Sequence, residues 1–330
     1  MDDVLERALG RLRSLQTERL RHLLASASTD AGFYRRRLES AGLDPGATGL
    51  DDLSRLPLTG KADLVADQEA HPPWGSHLSR SPEAYVRLHK TSGTTGRPLL
   101  WVDTADSWSW FRGCWRRILE LSGVTAEDRV FVAFSFGPFI GFWGAFEAAQ
   151  DLGALALTGG ALSSDERLDA ILDHEATVLV STPTYALRLA ELAAERGIDL
   201  AGGPVRLGIH AGEPGARVPN VRRRLEAAWG MACIDHAGAT EVGAWGVTPT
   251  GEEEMAILEE DFLPEVVDTD SGDPAPPDAE GCRRGELVLT NLGRLGSPVI
   301  RYRTGDLVEM LPATDPARPW RRLRGGVLGR

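Results

Sequence analysis

Leucines recur at helical spacing between residues 4 and 24 (Leu5, Leu9, Leu12, Leu20, Leu24), which predicts an opening amphipathic helix with one apolar stripe. Gly42-Leu43-Asp44-Pro45-Gly46 is a turn cluster, and Leu56-Pro57-Leu58-Thr59 leads into a short helix. Val86 to His89 reads as a strand feeding a run of small residues at 91 to 96. From about 128 to 235 the pattern alternates. Val130 to Phe134 is an apolar strand, and Asp165 to His174 is a helix with Leu168, Ile171 and Leu172 facing inward. Strand Thr177 to Val180 follows, then a helix from Tyr185 to Arg196 closed by Gly197, strand Val205 to Ile209, helix Arg217 to Ala228 and strand Met231 to Ile234. Strands alternating with helices of this length predict a parallel sheet covered on both faces.

Beyond Thr248 the helical spacing ends. Short strands are expected at Met255 to Leu258, Val266 to Val267, Glu286 to Thr290, Pro298 to Tyr302 and Leu307 to Met310, with a turn-rich loop over residues 268 to 277. No fixed-period repeat is present. The expected fold class is therefore α/β: a large core over residues 1–246, with mixed or parallel sheets flanked by helices, plus a small antiparallel, barrel-like subdomain over 247–330.

Composition narrows the classes. Thirty-six Lys and Arg against 48 Asp and Glu give a net charge of −12, a poor match for nucleic acid or an anionic membrane surface. Hydrophobic content of 42% supports a packed core rather than disorder. Lys61 and Lys90 are the only lysines, and this bias toward Arg is read as compositional. Cys114, Cys233 and Cys282 lie far apart with no C-x-x-C pair, so neither a disulfide framework nor a zinc ribbon is supported and a cytoplasmic setting is expected. The first residues lack the pattern of a signal peptide. The uncharged stretch Val130 to Phe146 is 17 residues long, holds Pro138 and three glycines, and is shorter than the ~20 residues of a membrane span; it reads as buried strand, loop and helix start.

Three segments carry candidate chemistry. Thr91-Ser92-Gly93-Thr94-Thr95-Gly96-Arg97-Pro98 follows a strand; its glycines permit close backbone approach, and its hydroxyls and N–H groups suit phosphate oxygens. The Walker spacing is absent, which disfavours a P-loop phosphotransferase. Taken alone, a Gly/Ser/Thr run is an ordinary surface loop. Gly238-Ala239-Thr240-Glu241 puts a carboxylate just past a strand's carboxyl end, where open α/β sheets bind ligands, although a solvated loop acid is the plainer reading. Arg301-Tyr302-Arg303-Thr304-Gly305-Asp306 ends an expected strand with a turn and an acid that could bridge vicinal hydroxyls.

In this order and spacing the three segments resemble the adenylate-forming superfamily of acyl- and aryl-CoA ligases, peptide-synthetase adenylation domains and luciferases. The phenylacetate-CoA ligase branch is the most similar, through Phe33 to Arg37, Ala41 to Pro45, Leu53 to Leu64 and Ala211-Gly212-Glu213-Pro214. The resemblance implies that Thr91, Ser92, Gly93, Thr94, Thr95 and Gly96 hold the ATP phosphates, with Arg97 in the place of the family's usual lysine. It implies that Glu241 ligates Mg²⁺ near Thr95, and that Asp306 bonds the ribose. Gly212, Glu213 and Pro214 would flank adenine beside Asp235 and His236, and Arg330 would reach the nucleotide. The acyl pocket would involve Phe136, Phe139, Gly141, His210, Ala237, Gly238 and Trp245. In isolation these aromatics read equally as core.

Departures from the pattern are specific. Ala237 stands where the family has an aromatic residue that stacks on adenine, so either His236 substitutes or stacking is weaker. Residues 247–281 contain neither Cys nor His, so the zinc of some relatives is not expected there. The family's C-terminal lid domain is not represented in residues 1–330, and slow turnover is the corresponding expectation. The function implied is ATP-dependent adenylation of an aryl acid, followed by transfer to coenzyme A. A carrier-protein thiol or an amine as acceptor, a homodimeric assembly, and a non-catalytic acyl- or nucleotide-binding module remain alternatives.

Overall fold

The computed structural model describes residues 2–29, 32–91 and 98–330. Helices α1 (Asp2–Thr29), α2 (Gly32–Ala41) and α3 (Lys61–Ala70) precede the hairpin strands β1 (Tyr85–Lys90) and β2 (Leu100–Thr104). There follow α4 (Ala105–Leu121), β3 (Arg129–Val132), α5 (Ile140–Leu152), β4 (Leu155–Thr158), α6 (Ser164–Asp173), β5 (Val178–Ser181), α7 (Pro183–Glu195), β6 (Leu207–His210) and α8 (Pro219–Trp229). The remainder is β7 (Ala232–Ala239), β8 (Gly243–Val247), β9 (Met255–Ile257), β10 (Phe262–Val267), β11 (Arg283–Asn291), β12 (Tyr302–Leu311) and β13 (Arg322–Gly329). Two compact units emerge. One holds the described residues up to Phe111 with Ala239–Trp245 and Ala256–Arg330; the other holds Arg112–Gly238 and Gly246–Met255.

The second unit is a parallel α/β layer. β3 pairs in parallel with β4 and β5, β5 with β6, and β6 with β7. β5 and β6 are buried along their whole length, because helices cover both faces. Local chemistry starts these helices. Ser163 accepts a bond from the Glu166 amide while the Glu166 carboxylate returns to the Ser163 amide, a reciprocal cap for α6. Thr182 caps α7 ahead of Pro183, and Gly230, at φ 65°, terminates α8. Leu168, Ile171, Leu179, Leu189, Leu225 and Trp229 form the core beneath.

The first unit contains the antiparallel run β10–β11–β12–β13 and the separate β1–β2 hairpin. On α1 the buried positions among the described residues are Ala8, Leu12, Gln16, Leu20, Leu23, Leu24, Ser26 and Ala27, so the expected stripe holds at Leu12, Leu20 and Leu24, while Leu9 is exposed.

Two expectations about strands are corrected. Residues 298–300 are not a strand: the Asn291 and Thr290 side chains accept from the Val299 and Arg301 amides, and Arg301 sits at φ 50°. The segment 301–306 consequently opens β12 instead of closing a strand. Thr59 pins it there, its amide donating to the Arg301 carbonyl and its carbonyl accepting from the Arg303 amide. β7 also runs past Ile234 to Ala239, so Ala237 and Gly238 lie inside a strand.

Candidate active site

Glu241 occupies the turn between β7 and β8, and it is buried at 5% exposure rather than solvated. Three consecutive turn carbonyls are held from below. Arg294 donates through Nη1 to the carbonyls of Thr240 (2.6 Å) and Glu241 (3.1 Å), and the Asn291 amide donates to the carbonyl of Val242 (3.1 Å). The Glu241 Oε1 accepts from the Tyr302 hydroxyl at 3.2 Å and lies 3.5 Å from Lys61 Nζ. Burial, and then the Glu241 charge beside it, push the Tyr302 phenol far above its ordinary pKa, so it stays a hydrogen-bond donor at any working pH.

Gly305 takes φ 76° inside β12, where the β11–β12 register slips between Glu286 and Val288. Its amide donates to Glu286 Oε1 at 3.0 Å, and the Asp306 amide donates to the Thr304 hydroxyl at 3.0 Å. This irregularity presents Asp306, which is 6% exposed and accepts from Arg330 Nε at 2.7 Å. Burial raises the Asp306 pKa, and Arg330 opposes that shift.

Thr91 is buried, and it uses both its groups to pair with Leu99. Its amide donates to the Leu99 carbonyl and its hydroxyl accepts from the Leu99 amide, each at 3.0 Å. Ser92, Gly93, Thr94, Thr95, Gly96 and Arg97 lie outside the described residues. Trp245 is 1% exposed within β8.

In the second unit the parallel register sets Ser181, His210 and Asp235 side by side at the carboxyl ends of β5, β6 and β7. That edge is where a parallel α/β layer receives ligands. His210 is fully buried with Nδ1 unpartnered among the described residues, and burial lowers its pKa to about 4. The Asp235 carboxyl is pushed up to about 7 by burial, against the opposing charges of Arg217 and Arg222. After His210 the chain turns through Gly212 at φ 90°, a backbone conformation that favours glycine. The Glu213 carboxylate then accepts from the Thr184 amide at 2.8 Å, a cap on the first turn of α7. Gly212 and Pro214 on either side are exposed.

His236 requires a correction. Its ring packs on Trp115 at 4.3 Å between centroids, its Nδ1–H donates to the Gly246 carbonyl at 2.8 Å, and burial lowers its pKa to about 4. Strand alternation sends it away from the face carrying Asp235 and Ala237, so it cannot replace the missing aromatic at 237. Phe136 sits edge-on to Trp143 and Phe146, Gly141 lies in the first turn of α5, and Phe139 is half-exposed.

Sequence reasoning missed Lys61, Tyr302, Arg294 and Asp103. Lys61 carried a signal, as one of two lysines among 36 basic residues. Tyr302 lay inside a motif already singled out. Arg294 and Asp103, 191 positions apart, carried none.

Glu241 fits a magnesium ion chemically. Mg²⁺ prefers one or two carboxylate oxygens and completes its shell with phosphate oxygens and water, and Glu241 is a buried carboxylate on a fixed turn. Among the described residues no group of three or more His, Cys, Asp or Glu side chains is arranged to hold a metal ion, and none of the described helices is long and apolar enough to cross a membrane.

The model of AMP-binding enzymes matches residues 12–293. The phenylacetate-coenzyme A ligase of Pseudomonas putida is 34% identical over 323 residues, covering 97% of this chain and 70% of that protein. Its counterpart in Escherichia coli (strain K12) is 33% identical over 328 residues, covering 98% and 72%. Among solved structures, 2-hydroxyisobutyryl-CoA ligase in complex with 2-HIB-AMP and CoA in the thioesterification state superposes with a TM-score of 0.90 at 31% identity, covering 98% of this chain and 68% of that one.

Proposed function

The chain belongs to the AMP-binding enzyme family, in its phenylacetate-CoA ligase-like branch, and on that premise we propose that it activates a small aryl acid with ATP and passes the acyl group to coenzyme A. An oxygen of the acid's carboxylate bonds to the α-phosphorus as the bond from that phosphorus to the bridging oxygen breaks, releasing pyrophosphate. The coenzyme A thiolate then bonds to the acyl carbon and AMP departs. The single observation that carries the reading is Glu241: a buried carboxylate on a turn held through its carbonyls, with a hydroxyl donor on Oε1.

Roles follow from local chemistry. Tyr302 fixes the carboxylate's rotamer, and Lys61 balances its charge. Bound Mg²⁺ would neutralise phosphate charge as pyrophosphate leaves. Asp306 would accept from the ribose hydroxyls, with Arg330 opposing the rise in its pKa that burial causes. Thr91 to Arg97 would receive the phosphates, and the turn at Gly212 to Pro214, with Asp235, would take the base. The rings at Phe136 and Phe139, with Gly141, His210, Ala237 and Gly238 of the same unit, would shape the acid's surroundings. Along the chain this divides the work between residues 1–246, for the phosphates and the acid, and 247–330, for the ribose.

Glu241→Gln keeps the shape and removes the charge. Adenylate trapped with hydroxylamine should fall about 100-fold or more, the scale of losing one preorganised electrostatic contact at a reacting phosphate. Adenylate formation at the native rate would remove Glu241 from the mechanism.

A further inference from the structure

Beneath the Glu241 turn lies an ion pair with no solvent exposure on either side: Arg294 and Asp103, both at 0%. Arg294 Nε meets Oδ1 and Nη2 meets Oδ2, each at 2.6 Å, a two-pronged contact between planar groups. Aromatic rings line the guanidinium, Trp101 at 5.2 Å and Phe111 at 5.7 Å. Apolar replacements for such pairs are often just as stable, so stability alone explains this one poorly. Its remaining nitrogen points elsewhere: Nη1 donates to the carbonyls of Thr240 and Glu241. Asp103 sits in β2, which follows the buried Thr91–Leu99 pairing, so the ion pair joins β2 to the turn that carries Glu241.

We propose that Asp103 and Arg294 form a positioning couple for the metal-binding carboxylate: Asp103 fixes the guanidinium plane, and Arg294 fixes the two carbonyls that set where the Glu241 side chain leaves the backbone. The inference rests on the adenylation reading above. Neither residue touches substrate, and both act through the turn. Lysine cannot reproduce the couple, because an ammonium lacks the planar fork needed to hold a carboxylate and two carbonyls together.

The test is calorimetric titration of Mg²⁺ into the full chain saturated with a non-hydrolysable ATP analogue, beside titration of the analogue without metal and a thermal melt. Arg294→Lys should weaken Mg²⁺ binding roughly 10- to 100-fold, as loss of an outer-shell partner does, while metal-free analogue affinity stays within about twofold of the unmodified chain. Should Arg294→Lys not fold, Asp103→Glu, which keeps the charge and shifts the fork, carries the same expectation. Arg206→Lys loosens an Arg–Asp pair of similar length, with Asp128 in the other unit, and should leave Mg²⁺ affinity unchanged. A lower melting temperature with native Mg²⁺ affinity would make the couple merely structural and overturn the inference. Equal losses with and without metal would overturn it too, since they report a collapsed site. An unmodified chain that takes up no Mg²⁺ with the analogue would overturn the adenylation reading and this inference together.

Discussion

Asp235 is the residue whose charge state is most open to measurement. Burial moves its carboxyl from an ordinary 3.8 up to about 7. Between those values the folded chain keeps the proton and the unfolded chain has lost it, so this group's contribution to stability declines as pH rises through the window. Asp235→Asn cannot ionise and escapes the decline. Relative to the unmodified chain, the variant should gain stability between pH 5 and pH 8, on the order of 2 to 4 kcal/mol. Denaturant melts at the two pH values read the difference, and parallel curves would mean that Asp235 is ionised throughout. His236, on the opposite face of β7, shows how far residue chemistry was legible. Its neighbours in sequence marked it as a ligand residue, but only the position of Trp115 reveals that its ring belongs to the core. Arg294 was illegible for a related reason: its partner is 191 positions away, and no local pattern announces such a pairing.

At the scale of elements, legibility followed propensity. Val178–Ser181 and the α6 and α7 helices were evident because β-branched runs, caps and apolar spacing agree. The sequence ends β7 early because Asp235-His236-Ala237-Gly238 are poor strand formers; the Asp235 carbonyl accepts from the Thr248 amide, a pairing that holds the extended backbone. The start of β12 reads as a strand end in the sequence, because its irregularity at Gly305 looks like a strand-ending turn. Gly305 has φ 76°, and a Cβ there would meet nothing within 4 Å. Gly305→Ala should therefore cost about 1 to 2 kcal/mol through backbone conformation alone. An unchanged denaturation midpoint would place that residue outside the left-handed region.

For the whole molecule, the alternation of strands and helices before residue 250 and its absence afterwards gave the α/β class and the antiparallel run. The interleaved composition of the two units was not readable, because it depends on where the chain returns. The same holds for the acid. Phe136 packs edge-on against Trp143 and Phe146, and no spacing in the sequence encodes the pocket volume that such packing leaves. The most direct test of the central claim is acid-dependent ATP–pyrophosphate exchange, run with benzoate, aminobenzoates, hydroxybenzoates and phenylacetate. Exchange above the acid-free background with an aryl acid, and dependent on Mg²⁺, is the predicted result. A folded chain that binds ATP yet shows no exchange with any of these acids would contradict aryl-acid activation.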